Sequence, residues 1–224
     1  MAGWIALHGG GEFQRGSEIG DRRLVVAAGG ADARVIVVPT AAAHEAPEIA
    51  ARNGIRWFQQ IGARADAALA VDARSANDSA IVAKIEAATL IYLPGGDPVL
   101  VVETLRDSQV WRAIVKAYER GASIGGASAG AMALGSRMWN PRTGGLIDGL
   151  GFVPIVTLPH FGVKRIDRAQ TLRQQLDRAT RLFGIAERTS AIWDGAQWNV
   201  WGPGEVVEVL ADDVKTYQSG ESFV

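Results

Sequence analysis

Short apolar runs recur along the first 130 residues, most of them closed by glycine or proline. Residues 4–7 (WIAL) end in glycines and residues 34–38 (RVIVV) end at Pro39-Thr40, and residues 67–71, 89–93 and 122–124 repeat the pattern. Runs this short, apolar at consecutive positions, read as strands buried on both faces. Longer periodic segments lie between them. Residues 47–61 carry Ile49, Ala50, Trp57, Phe58 and Ile61 at helical spacing, with Gly54 as a weak point. Residues 80–88 read as a helix capped by Asp78 or Ser79, and 98–106 and 110–119 as two more. Strand and helix alternate, which predicts an α/β fold: a mostly parallel sheet flanked by helices on both faces.

The pattern changes further on. Residues 152–158 form another apolar run, and 167–183 read as a polar-rich amphipathic helix. Residues 190–193, 197–201 and 206–210 follow as strands, separated by Asp194-Gly195 and Gly202-Pro203-Gly204. Turn signals this close predict antiparallel pairing, hence a C-terminal hairpin extension of the sheet. Trp193, Trp198 and Trp201 alternate along it and read as packing residues. No linker interrupts the chain, so residues 1–224 are expected to form one domain.

Composition removes several functions. The net charge is −1, which favours neither nucleic acid nor an anionic membrane as partner. Without cysteine there are no disulfides, thiol nucleophiles or cysteine–metal sites. His8, His44 and His160 have no metal-ligand spacing, so no metal and no cofactor is expected. The first residues lack a basic region and their apolar stretch breaks at Gly9, unlike a signal peptide, and no run is long enough to span a bilayer. The expected location is cytoplasmic.

In an open parallel sheet, ligands bind at the carboxyl ends of the strands. Three glycine-rich turns fall there: His8-Gly9-Gly10-Gly11, Pro94-Gly95-Gly96-Asp97 and Gly125 to Gly130. Gly126 to Gly130 fits G-x-S-x-G, the strand-to-helix elbow that projects a serine hydroxyl and aims the next N–H at a reacting carbonyl. Small residues there also serve close helix–sheet packing; the flanking strand and helix favour Ser128 as nucleophile. A serine needs a base, and His160 is the one histidine downstream, just past an apolar run. The base needs an orienting carboxylate, for which Asp148 and Glu187 are candidates that spacing does not separate. Ala129 N–H and Gly96 N–H are candidate oxyanion donors, with Asp97 N–H an alternative to the latter.

Taken together, LPGGDP (93–98), GGASAGAMALG (125–135), DGLGFVP (148–154), LPHF (158–161) and GIAERT (184–189) resemble the S51 serine peptidase family, which includes dipeptidase E and cyanophycinase. The blocks match in order and rough spacing from Trp4 to about Leu210, and the Ser-Ala-Gly-Ala core is the most specific of them. The resemblance implies a fold like class I glutamine amidotransferases, with serine in place of cysteine, Ser128 as nucleophile and His160 as base. Cyanophycinase-like members carry their glutamate in a G-I-x-E-x-T context, which favours Glu187; the aspartate of dipeptidase E, between serine and histidine, keeps Asp148 second. Family members cleave after aspartyl residues, through the α- or β-carboxyl. That implies a small peptide substrate, with Arg168 and Arg165 near its carboxylate and Asp97 and Glu12 near its ammonium. Pro98 departs from the glutamine that cyanophycinases carry after Gly-Gly-Asp. A homodimer is compatible with the resemblance.

Two other readings compete. His8-Gly9-Gly10-Gly11 is similar to the oxyanion motif of α/β-hydrolase esterases. There, however, the motif follows the third strand and the histidine base lies near the carboxyl end. The other is a non-catalytic small-molecule-binding module on the same fold, against which the retained serine, histidine and carboxylates argue.

Overall fold

The computed structural model describes residues 2–162 and 165–224, the side chain of Arg168 excepted. The first part alternates as β1 (Ile5–His8), α1 (Glu18–Ala27), β2 (Arg34–Val37), α2 (Pro47–Gln60), β3 (Arg64–Ala67), α3 (Ser79–Glu86), β4 (Leu90–Leu93), α4 (Pro98–Leu105), α5 (Gln109–Glu119), β5 (Ser123–Ala127) and α6 (Ala129–Leu134). A hairpin of β6 (Arg137–Trp139) and β7 (Leu146–Asp148) follows, then β8 (Ile155–Leu158), α7 (Ile166–Arg173), β9 (Arg181–Ile185), β10 (Ser190–Trp193), β11 (Trp198–Trp201), β12 (Val206–Val209), β13 (Val214–Tyr217) and β14 (Ser222–Phe223). Local signals start several helices: Asp78, Asp97 and Ser108 accept first-turn N–H groups of α3, α4 and α5, and Pro47 and Pro98 sit at helix starts.

The main sheet has the order β14-β11-β10-β1-β5-β4-β2-β3. Strands β1 to β5 are parallel, and β10, β11 and β14 add an antiparallel flank. Successive residues of the parallel strands feed opposite cores, because side chains alternate across a sheet. Ile5, Leu7, Ile91, Leu93 and Ile124 join the core that holds Ile85, Val101, Ile114 and Ala131 from α3 to α6. Ala6, Val35, Val37, Leu90 and Tyr92 join Leu24 and Val25 of α1 and Phe58 of α2 on the other side.

A second sheet, β13-β12-β9-β8, stands apart from the first. Ile155, Phe183, Ile185 and Val206 of this sheet belong to the same core as α3 to α6. Val156, Leu182, Val207 and Val209 cluster instead with Ala169 and Leu172 of α7. Strands β8 and β9 are parallel, with α7 as their crossover.

Three expectations change. The helix expected over 167–183 stops at Arg173, because Leu182 and Phe183 alternate between two cores in β9 and are paired on both sides, by β8 and β12. The third strand is Arg64–Ala67, not 67–71: Ala63 N–H closes α2 on Phe58 O and Arg64 N–H already bonds Ala33 O. Residues 206–209 leave the main sheet and pair with β9 and β13, so the antiparallel extension consists of β10, β11 and β14. The tryptophans do pack. Trp198 is buried edge-on to Phe183, and the Arg23 guanidinium lies 3.9 Å from the Trp201 ring centre. No helix among the described residues is long and apolar enough to cross a membrane.

One polar pair lies inside the protein. His8 Nδ1 is 2.7 Å from Ser190 Oγ, His8 Nε2 is 3.5 Å from Asp21 Oδ1, and Trp57 Nε1 donates to Asp21 Oδ2 at 2.8 Å. Burial lowers the His8 pKa to about 3 and raises that of Asp21 to about 7; the Trp57 hydrogen bond opposes the Asp21 shift, and Glu12 and Glu18 add to it. Near pH 5 the contact is therefore between two neutral groups, not an ion pair. In the unfolded chain the ordinary values are 6.5 and 3.8. As pH rises between those two values, folding loses stability through Asp21, which stays protonated only when folded. It gains stability through His8, which is protonated only when unfolded. The two slopes cancel. Asp21→Asn removes the opposing half, so its stability relative to wild type is expected to rise by roughly 1 kcal/mol per pH unit between pH 4 and 6. Urea unfolding of both proteins at pH 4, 5 and 6 measures this; parallel stability curves would contradict the neutral pair.

Candidate active site

Ser128 sits between β5 and α6 with φ 48° and ψ −109°, a conformation costly for any residue with a Cβ. Backbone bonds on both sides hold it there: Ser128 N–H donates to His8 O at 3.0 Å, and Met132 N–H donates to Ser128 O at 3.0 Å. The turn also needs close approach to the neighbouring strand. A Cβ on Gly130 would lie 2.1 Å from Leu93 O, so the second glycine of the motif is a packing requirement.

The partners of Ser128 come from the second sheet. Strands β8 and β9 run in parallel register, Leu158 beside Gly184, so the loops that follow them leave at the same end. The first loop carries His160 and the second Glu187. Both loops are tied to the turn after β1: His160 N–H donates to Gly9 O and Arg188 N–H to Gly10 O, both at 2.7 Å, and Gly9 N–H donates to Thr189 O at 2.9 Å. The imidazole lies against Gly10, where φ is +107° and a Cβ would stand 2.2 Å from His160 Cε1. Here, then, the His-Gly-Gly-Gly turn is engaged in holding the two loops and making room for a ring.

In this arrangement Ser128 Oγ lies 2.9 Å from His160 Nε2, and His160 Nδ1 lies 3.0 Å from Glu187 Oε1. A carboxylate at Nδ1 selects the tautomer with its proton there and leaves Nε2 to accept from the serine hydroxyl. The histidine is 40% and the glutamate 58% exposed, so the contact contributes orientation more than energy.

The turn beside Ser128 separates the oxyanion candidates. Gly95 N–H is committed to Glu12 Oε1 at 2.6 Å and Asp97 N–H to Ala41 O at 2.8 Å. Among the described residues Gly96 N–H has no protein acceptor, which leaves it as the donor this turn can offer. Ala129 is the first residue of α6, and its N–H has no partner within the helix.

Other expected site residues fall elsewhere. Asp148 is in the β6–β7 hairpin, where its carboxylate pairs with Arg137 at 3.4 Å and its carbonyl accepts from Arg106. Glu187, not Asp148, is thus the carboxylate at His160. Asp97 is committed at both oxygens, capping α4 through Val99 N–H and pairing with Arg142 at 2.7 Å, because an aspartate before proline at a helix start becomes the cap. It does not face a ligand ammonium. Glu12 remains beside the site, bracing Gly95 through one oxygen. Arg165 is exposed and donates to Pro159 O at 3.2 Å. Lys164 and the side chain of Arg168 lie outside the described residues.

Two cavities meet at His160. One, of about 620 Å³, is bordered by Glu12, Gln14, Asn53, Arg56, Gly95 and Glu187 and is largely polar. The other, of about 480 Å³, is bordered by Met132, Trp139, Leu158, Ala169 and Leu172. Sequence reasoning missed Asn53 and Arg56. Their one signal is weak: polar residues at positions 53, 56 and 60 share one face of α2.

Known proteins resemble this chain in sequence and in fold. The sequence profile of peptidase family S51 matches residues 5–200. The chain is 30% identical to a cyanophycinase of Geminocystis herdmanii over 98% of its own length and 81% of the relative's. It is 29% identical to a cyanophycinase of Trichormus variabilis over 88% of this chain and 69% of that one. In fold it matches the crystal structure of a peptidase from an acI-B1 actinobacterium, with a TM-score of 0.84 at 24% identity, covering 100% and 97% of the two chains. A structure assigned to peptidase E of Listeria monocytogenes gives 0.68 at 16% identity, covering 91% and 100%. With its α/β architecture and a family match spanning most of its length, this chain belongs to peptidase family S51.

Proposed function

We propose that this S51 family member is a serine peptidase of small peptides that works through an acyl-enzyme. The observation that carries the reading is the continuous contact from Ser128 Oγ through His160 to Glu187. Ser128 Oγ attacks the scissile carbonyl while its proton passes to His160 Nε2. The oxyanion forms toward Gly96 N–H and Ala129 N–H. The tetrahedral intermediate collapses, the C–N bond breaks, and His160 gives its proton to the departing amine. Water, deprotonated by the same Nε2, then hydrolyses the ester. Glu187 holds the imidazole in register and balances the transient imidazolium.

For the acyl side we propose an aspartyl residue, α- or β-linked. The similarity to cyanophycinases and the resemblance to aspartyl-cleaving peptidases support this, and so does the polar cavity beside the oxyanion turn. There Arg56 suits the free carboxylate and Glu12 the ammonium; Arg165 and Arg168 are further cations for a carboxylate. The esterase reading rests on the His-Gly-Gly-Gly turn as an oxyanion motif. The glycines of the His-Gly-Gly-Gly turn serve the His160 and Glu187 loops.

Hydrolysis of α-aspartyl, β-aspartyl and neutral dipeptides tests the reading. An aspartyl-selective activity lost at least about 10³-fold in Ser128→Ala is expected. Hydrolysis unchanged in that variant would refute the mechanism, and equal rates on neutral dipeptides would refute the aspartyl selectivity. Glu187→Gln is expected to lower kcat on the order of 10²-fold, because a neutral amide no longer balances the imidazolium, whereas Asp148→Asn stays within about twofold. The reverse ranking would transfer the role to Asp148. Gly10→Ala is expected to lower kcat at least about tenfold with an unchanged far-ultraviolet circular dichroism spectrum, since the added methyl displaces the imidazole. Wild-type kcat in that variant would mean the ring does not depend on Gly10.

A further inference from the structure

We propose that Glu12 is a positioning residue for catalysis: by accepting Gly95 N–H, its carboxylate holds the turn between β4 and α4 so that Gly96 N–H faces the oxyanion. The inference deepens the peptidase reading and rests on it. Gly95 N–H donates to Glu12 Oε1 at 2.6 Å, across 83 positions of sequence. The contact lies within the site, since a Cβ on Gly95 would stand 2.6 Å from that oxygen and 3.4 Å from Ser128 Cβ. Two successive glycines impose little direction of their own on the peptide between them. What directs Gly96 N–H is therefore the hold on its neighbours. On one side Asp97 N–H is fixed to Ala41 O at 2.8 Å. Close approach to the same carbonyl requires glycine at 96, where φ is +137° and a Cβ would lie 2.3 Å from it. On the other side the hold on Gly95 N–H is Glu12 Oε1.

The fold builds a place for this carboxylate. Glu12 is half-buried and is followed by Phe13, whose backbone takes a left-handed φ of 59°. That conformation turns the Phe13 ring against Trp57, Phe58 and Tyr92, with ring centres 6.5, 6.2 and 5.6 Å away. A Cβ on Gly54 would come 3.0 Å from Phe13 Cζ and 2.8 Å from Val37 Cγ2. Gly54 weakens α2 by propensity, and the space it leaves seats Phe13, which in turn anchors Glu12. A carboxylate acceptor makes a stronger bond to a backbone N–H than a neutral carbonyl does. Among the described residues Glu12 Oε2 has no protein partner, and Glu12 borders the polar cavity. One oxygen thus braces the turn while the other is left for a ligand ammonium. The two roles separate kinetically. Bracing acts where the oxyanion forms and moves kcat, whereas charge reading acts on the bound ground state and moves KM.

The test compares the wild-type protein with Glu12→Gln and Glu12→Met on α- and β-linked Asp-Leu. Both variants keep the length of the side chain and lose its charge; only glutamine keeps a carbonyl oxygen for Gly95 N–H. KM is expected to rise in both. In Glu12→Met kcat is expected to fall on the order of 10-fold, less than the roughly 10²- to 10³-fold that loss of an oxyanion donor itself costs. In Glu12→Gln it is expected to recover at least about threefold over the methionine variant. Equal kcat in the two variants, or wild-type kcat in Glu12→Met, would overturn the proposal and leave Glu12 with charge reading alone. Amide hydrogen exchange followed by NMR needs no turnover. Gly95 N–H is expected to exchange at least about fivefold faster in Glu12→Met than in wild type, with Glu12→Gln between them. Unchanged exchange in Glu12→Met would overturn the brace. The expected exchange pattern in a wild-type protein that hydrolyses none of the peptides would instead remove the peptidase reading, and with it the catalytic role of Glu12, so the two failures are told apart.

Discussion

Two backbone carbonyls, those of Gly9 and Gly10, hold together what the chemistry needs. Gly9 O takes the N–H of His160, and Gly10 O takes the N–H of Arg188, the residue after Glu187. The strand leading to them, β1, lies beside β5 and passes its last carbonyl, His8 O, to Ser128. One short segment therefore spaces the serine, the histidine and the glutamate, although the first belongs to one sheet and the other two follow strands of another. Side chains could not do this as well. A methyl group at position 10 would occupy the space of the imidazole, so the segment works by having no side chain there.

The same segment reaches down into the core. His8 projects from the end of β1 into a buried cluster with Ser190, Asp21 and the indole of Trp57. Burial keeps His8 neutral throughout the physiological range and holds Asp21 protonated up to about pH 7, so below that pH the polar cluster beneath the serine turn carries no charge. Above that cluster the site opens to solvent, with His160 and Glu187 both partly exposed. The serine conformation is kept by backbone bonds to either side, which fits the general pattern that strain persists where its surroundings over-determine it.

The second sheet also shapes what can enter. Because β8 ends at His160 and α7 lies over the outer side of β8 and β9, the apolar residues that stabilise this crossover also line one of the cavities. The polar cavity on the other side is built from the loop after β1 and the outer face of α2, elements of the main sheet's layer. The unlike chemistry of the two sides follows from their different origins in the fold, and both are in reach of one imidazole.

Much of this was legible in the residues. Apolar runs closed by Gly-Gly and Pro-Gly-Gly marked strand ends, and a G-x-S-x-G turn after such a run marked Ser128, because strand ends in a parallel sheet point one way and small residues are required at a tight elbow. His160 followed from scarcity. What the sequence left undecided was mostly a matter of partners. Residues 181–185 carry no helical or strand period clear enough to resist being read into the preceding helix; pairing with β8 and β12 made them a strand. Residues 206–209 look like one more hairpin strand, and which sheet takes them depends on the vacant edge of β9. Asp148 and Glu187 are equivalent by spacing, and only the parallel register of β8 and β9 carried one to His160 while the β6–β7 hairpin gave the other to Arg137. The sequence by itself determined which groups stand at strand ends, because local turn chemistry is written in consecutive residues. The tertiary structure alone decided which of them meet, because that depends on non-local pairing between strands far apart in the chain.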